Sequence, residues 1–157
     1  MDISLDHIDL RILRLMQENA RIPNVDLAKQ LEMAPSAVLE RVKKLEQKQV
    51  ILHYTTGINP AAVGQKLLAF IFVRTKDGFG SGETGVQLAK IDEVQEVHNI
   101  AGEDCYLVKV RTADSASLME LMRAKFALIP TIQATKTTIV LETVKEEQKL
   151  TLPITKK

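Results

Sequence analysis

Residues 33–49 read MAPSAVLERVKKLEQKQ, with Arg41, Lys43, Lys44 and Lys48 set among regularly spaced apolar residues. Pro35 suits the first turn of a helix, where its missing N–H has no bond to lose. The pattern predicts a helix running to about Gln47. On a wheel of 100° per residue, Val38, Val42 and Leu45 fall within about 60° of one another. Ser36, Glu40, Lys43, Lys44 and Gln47 fall opposite, with Ala37, Arg41 and Lys48 along one flank. Such a helix buries one stripe and turns a polar face outward.

The residues upstream supply its setting. Asp6 is a candidate N-cap with Asp9 in capping-box position, and Leu5 and Leu10 are spaced for a hydrophobic staple. Ile12, Leu13, Met16 and Ala20 mark one face of a first helix that Pro23 ends. Asn24 is a candidate cap for a shorter second helix with Leu27, Ala28 and Leu31 inward. Two short helices joined by a tight turn, after a supporting helix, make a helix-turn-helix unit. In that unit the 36–48 segment would lie on double-stranded DNA. Ser36 and Ala37 would approach base edges near the helix N-terminus, and Glu40 could accept from cytosine N4. Arg41, Lys43, Lys44 and Lys48 could neutralise phosphates, with Arg41 also able to read guanine; Arg41 and Lys44 are expected to carry much of the affinity. Bulk charge does not make this case, because residues 1–57 hold eight Lys/Arg and eight Asp/Glu.

After Val50 the texture changes. Residues 50–56 are β-prone, and INPAAVG at 58–64 reads as a connector. KLLAFIFVRT (66–75) predicts a strand, DGFGSGETG (77–85) a loop, and 83–92 a helix. EVHNIAG (96–102) and DCYLVKVRT (104–112) predict two strands around a turn at Gly102 and Glu103. SASLMELMRAKFALI (115–129) has helical apolar spacing, and IQATKTTIVLETV (132–144) predicts a last strand. The order β-α-β-β-α-β is the split ferredoxin-like pattern.

Composition sets the outer bounds. The chain has 157 residues, 45% apolar and 26% charged, with a net charge of +1. Its start lacks the pattern of a signal peptide, and the longest apolar run, LLAFIFV at 67–73, is too short to span a bilayer. The single cysteine, Cys105, suits a reducing cytosol. His7, His53 and His98 are scattered without zinc spacing, so neither a metal nor another cofactor is expected. Cys105 and His98 alone lack the base geometry and oxyanion site that nucleophilic catalysis needs, so no enzyme is expected.

The layout resembles the Lrp/AsnC, or feast/famine, transcription regulators over nearly the whole chain. LDHIDLRILRLMQENARIPNVDLAK (5–29) resembles the family's opening helices, and PSAVLERVKKLE (35–46) its recognition helix. AGEDCYLVKVRTAD (101–114) resembles the Gly-acid turn of its effector domain, and TKTTIVLETVKEEQKLTLPI (135–154) its last strand and tail. The resemblance implies an α+β protein: a winged-type helix-turn-helix domain (1–50), a strand or hinge connector (51–65), a ferredoxin-like effector domain of the regulator-of-amino-acid-metabolism type (66–144) and a tail (145–157). It implies a cytoplasmic, nucleoid-associated homodimer that assembles further, often to an octamer, and answers a small effector, commonly an amino acid. Ile100, Ala101, Gly102, Glu103 and Asp104, with Thr135, Thr137 and Thr138 on the last strand, are the effector-binding candidates.

The chain departs from the family pattern at four places. Glu32 and Gln49 stand where glycine is usual, and Ala34 replaces a serine cap. Cys105 stands where a second acid is usual, and Asp104 on the adjacent position cannot replace it, because neighbouring strand side chains face opposite ways. Two alternative readings follow: an effector-independent architectural DNA-binding protein of the same fold, and a small-molecule-binding or enzymatic domain without DNA affinity.

Overall fold

The computed structural model describes residues 4–76, 82–102 and 105–153. The chain divides into two compact units, Met1–Thr56 with Glu146–Lys157, and Gly57–Lys145.

The first unit is built on three helices, α1 (His7–Glu18), α2 (Asn24–Leu31) and α3 (Pro35–Gln47). Asp6 caps α1 and the reciprocal bond from Asp9 completes the capping box. The helix closes at Glu18 with Asn19 as C-cap, so Ala20 lies outside it and is exposed, contrary to the reading of its face. Pro23, not Asn24, precedes α2 as its cap position; the Asn24 side chain instead donates to the Pro35 carbonyl at 2.8 Å, tying the start of α2 to the start of α3. Arg11 Nη2 donates to the Gln30 carbonyl at 2.8 Å, joining α1 to the end of α2. The core is Ile12, Leu27, Ala28, Leu31, Val38 and Leu45, with Leu5, Met16 and Val42 packed against it.

Both α2 and α3 end in left-handed turns without glycine. Glu32 and Gln49 each have φ 56°. Met33 N–H reaches back to the Ala28 carbonyl at 3.0 Å, and Val50 N–H to Leu45 at 2.9 Å, the six-to-one bonds of Schellman ends. The turn geometry therefore persists at both positions with a non-glycine residue in it.

The β-prone residues 50–56 form no strand. Ladder bonds need a pairing partner, and among the described residues the four strands of the sheet pair only with one another. Tyr54 is instead held by its hydroxyl, which donates to Glu46 at 2.7 Å.

The second unit is an antiparallel sheet of β1 (Leu67–Thr75), β2 (Val94–Asn99), β3 (Tyr106–Thr112) and β4 (Ile132–Ile139), in the order β2-β3-β1-β4. Helices α4 (Glu83–Leu88) and α5 (Ser115–Ala124) complete the β-α-β-β-α-β pattern. Ala69, Ile71, Val73, Tyr106, Val108 and Val110 alternate along β1 and β3 and build one core with Leu88, Leu118, Leu121 and Phe126.

Several elements are shorter than their apolar patterns. The 115–129 segment leaves α-geometry at Lys125 and finishes in a 3-10 turn, Phe126–Leu128, because Ile129 precedes Pro130 and takes extended angles. The last strand stops at Ile139 rather than 144: Ile139 pairs with Ala69 and Val140 bonds to Leu68, where β1 itself begins. The helix expected over 83–92 ends at Leu88, and the chain turns into β2 two residues earlier than expected.

Candidate functional site

Helix α3 presents the predicted contact residues in two groups. Ser36, Glu40 and Lys43 are exposed on the face away from the buried Val38 and Leu45. Lys44 and Lys48 are exposed as well, and Ala37 and Arg41 are half-buried. Ala34 precedes the helix with extended angles and gives no side-chain cap.

The cations of α3 differ in how they are compensated. Arg41 Nη1 donates to Asp6 Oδ2 at 2.7 Å and to Asp9 Oδ1 at 2.8 Å. These bonds, first to Asp6 and then to Asp9, hold the guanidinium more firmly protonated than usual. Burial pushes the Asp6 carboxyl up, but the Asp9 backbone N–H and Arg41 outweigh it and hold Asp6 below the ordinary carboxylate range. Lys44 pairs with Glu40 one turn earlier at 2.8 Å, which lowers the Glu40 pKa. Lys43 and Lys48 have no ion-pair partner among the described residues. Sequence reading named all four cations but missed Asp6 and Asp9 as partners of Arg41. Their separations of 35 and 32 residues leave no local signal.

The candidate effector turn follows β2. Ile100 N–H donates to the Cys105 carbonyl at 2.9 Å, and Cys105 N–H donates to the Val73 carbonyl at 2.9 Å. Ala101 and Gly102 are exposed at the tip, and Gly102 has φ 141° with open space where a Cβ would stand. Glu103 and Asp104 lie outside the described residues. Thr135 pairs with the same Val73 that receives the Cys105 amide, so β1 links the turn to the last strand. Thr137 pairs with Ile71 and Thr138 with Phe70, so the three threonines do not share a face: Thr135 and Thr137 alternate with Thr138. The His98 ring bonds to Glu96 at 3.1 Å on its own strand and pairs in register with Leu107, not Cys105. Among the described residues no group of three or more His, Cys, Asp or Glu is placed to hold a metal ion.

A second feature escaped the sequence reading. The segment after Lys145 returns to α1. Gln17 grips Leu150 in both directions, accepting from its N–H at 2.8 Å and donating to its carbonyl at 3.0 Å. Lys149 pairs with Glu18, and Arg14 reaches the Pro153 carbonyl at 3.5 Å.

Comparison with known proteins bears on both sites. The AsnC-type helix-turn-helix domain matches residues 5–46, and the Lrp/AsnC ligand binding domain matches residues 68–150. The chain belongs to the Lrp/AsnC family of DNA-binding transcriptional regulators. Among Lrp/AsnC relatives, the HTH-type transcriptional regulator FL11 of Pyrococcus abyssi is 37% identical over 150 residues, 96% of this chain and 98% of that protein. The leucine-responsive regulatory protein of Haemophilus influenzae is 37% identical over 153 residues, 95% of this chain and 91% of its own. A transcriptional regulator of Neisseria meningitidis, solved as a complex with L-methionine, superposes with a TM-score of 0.87 at 28% identity, covering 94% of this chain and 97% of that one. The helix-turn-helix match ends within α3, at residue 46, so it takes in Lys43 and stops short of Lys48.

Proposed function

We propose that this Lrp/AsnC protein acts as a homodimer that lays α3 of each copy on double-stranded DNA and adjusts its assembly or affinity to an amino acid. The observation that carries the DNA reading is the outward face of α3: Ser36, Glu40 and Lys43 project from a helix fixed to its neighbours by Asn24 and Arg41. Ser36, Glu40, Lys43 and Lys44 are the proposed base-edge and backbone contacts of the outward face, with Ala37, Arg41 and Lys48 along the flank.

The effector site is proposed at Ile100, Ala101 and Gly102 with Glu103, Asp104 and Thr135. The exposed glycine tip supports it, as does the L-methionine complex of the Neisseria regulator. Thr137 shares the face of Thr135, whereas Thr138 faces the other way and would serve a different contact. A second copy would cover the sheet surface that carries half-buried Phe70, Phe72 and Leu107, and dimers would assemble further, to an octamer in the fullest case. Among the described residues no helix is long and apolar enough to cross a membrane. A cytoplasmic, nucleoid-associated location is part of the same proposal.

The test is a titration of two duplexes, the upstream region of the protein's own gene and a scrambled fragment of equal length, at two salt concentrations, with and without an amino-acid panel. The proposal expects preference for the first duplex, steep weakening with salt and a shift with at least one amino acid. Equal, tight binding to both without any amino-acid effect favours the architectural reading. Binding to neither overturns the role of α3.

A further inference from the structure

The charges on α3 do not act alike. Arg41 uses both N–H groups of Nη1 on Asp6 and Asp9, at 2.7 and 2.8 Å. The three side chains together carry one positive and two negative charges, so a phosphate approaching Arg41 meets a group of net charge −1. Lys44 is offset by Glu40 at 2.8 Å. That leaves Lys43 within the helix and Lys48 at its C-cap as the uncompensated cations of this segment among the described residues.

The partners of Arg41 are also the capping box of α1. Asp6 accepts the N–H of Asp9 at 2.8 Å, and Asp9 accepts the N–H of Asp6 at 3.3 Å. One nitrogen of Arg41 thus bridges the two carboxylates that define where α1 starts. This is a geometric lock between first helix and recognition helix, at mid-length of α3, and the Arg41 side chain is only 32% exposed in it.

We propose that Arg41 is a positioning residue that fixes α3 against the first turn of α1, while Lys43 and Lys48 supply the charge that meets DNA phosphate. The proposal rests on the DNA-binding reading above and deepens it. An arginine that touched phosphate would release counterions on binding and contribute about 0.9 to the slope of log affinity against log salt. An arginine that only orients its helix has no phosphate contact of its own to remove from that slope and changes affinity by misplacing the base-edge contacts of Ser36, Ala37 and Glu40.

The experiment uses the full-length protein and a mixed-sequence duplex of fixed length, with binding followed by fluorescence anisotropy across a salt series. For Arg41→Ala the expected result is an affinity lower by about tenfold with the parent's salt slope, and partial recovery in Arg41→Lys, whose ammonium can still hold one carboxylate. For Lys43→Ala and for Lys48→Ala the expected result is a slope lower by about one each. These exposed lysines keep the test decisive if Arg41→Ala loses its helical signal. A slope reduced by about one in Arg41→Ala, or unchanged affinity in that variant, overturns the positioning role. Parent-like slopes in both lysine variants overturn the charge assignment. If the parent protein itself fails to bind DNA, the DNA-binding reading falls and this inference falls with it; a parent that binds while Arg41→Ala loses slope sinks this inference alone.

Discussion

Glu32 and Gln49 hold a backbone region that costs an L side chain about 1 kcal/mol or more relative to glycine. Glu32→Gly and Gln49→Gly are therefore each expected to raise stability by about 0.5–1 kcal/mol, after allowing for the freer unfolded chain. Urea denaturation checks this, and the gain should be smaller for Gln49→Gly, because the Gln49 amide donates to the Glu46 carbonyl at 3.1 Å; a lower midpoint in either variant would mean that the side chain contributes more than the backbone strain costs. Tyr54 offers a pH test at the same scale. Burial first, and the Glu46 carboxylate second, push its phenol up to about 12 from an ordinary 10. A raised folded pKa gives stability that is present below the ordinary value and is lost as pH rises through the folded one. The protein should thus lose stability between about pH 10 and 12, and Tyr54→Phe should remove the late step in phenolate absorbance. Gly102 differs from these positions. At φ 141° any side chain is strained, yet among the described residues nothing stands within 4 Å to clash with it. Gly102→Val is expected to abolish the effector response in the anisotropy assay while light scattering still reports the parent's assembly. A normal response would remove the turn from the effector site.

At the level of elements, Ala34 leaves the N-terminus of α3 without a side-chain acceptor. Ala34→Ser should add about 1 kcal/mol, read as a higher melting temperature. Gly85 in α4 has the opposite sensitivity: a Cβ there would stand 2.8 Å from Tyr106 Cε1. Tyr106 is buried and cannot swing clear, so Gly85→Ala should cost about 1–3 kcal/mol despite alanine's better helix propensity. The elements also show what the sequence makes readable. The capping box of Asp6 and Asp9 and the span of α3 were legible, because spacing over a few residues decides them. So was the order of elements in the second unit, β-α-β-β-α-β, since alternating and helical apolar patterns follow one another along the chain. Element ends were not, because β4 stops where its partner β1 runs out and α5 stops at the approach to Pro130. The β-prone connector misled for a related reason: propensity marks residues fit for a strand but supplies no neighbour. The candidate site divided along the same line. Its cations were visible on the wheel, but the Asp6–Arg41–Asp9 lock joins groups more than thirty residues apart.

Across the whole molecule, the least legible feature is the return of residues 146–153 to the first unit. Gln17 holds Leu150 through paired amide bonds, and Lys149 adds an exposed ion pair with Glu18. The ion pair is worth little and weakens with salt, whereas amide bonds do not. The tail should stay docked in high salt, and Gln17→Ala should release it. Faster hydrogen exchange at Leu150 in the variant, with the parent unchanged across the salt series, is the expected result. Equal exchange in the two proteins would show that other groups hold the tail. The arrangement also bears on synthesis. A ribosome makes α1 to α3 first, then all of the second unit, and only afterwards the stretch that Gln17 grips. A chain still being translated therefore has α3 complete long before the unit that carries it, and that unit closes only when residues 149 and 150 emerge.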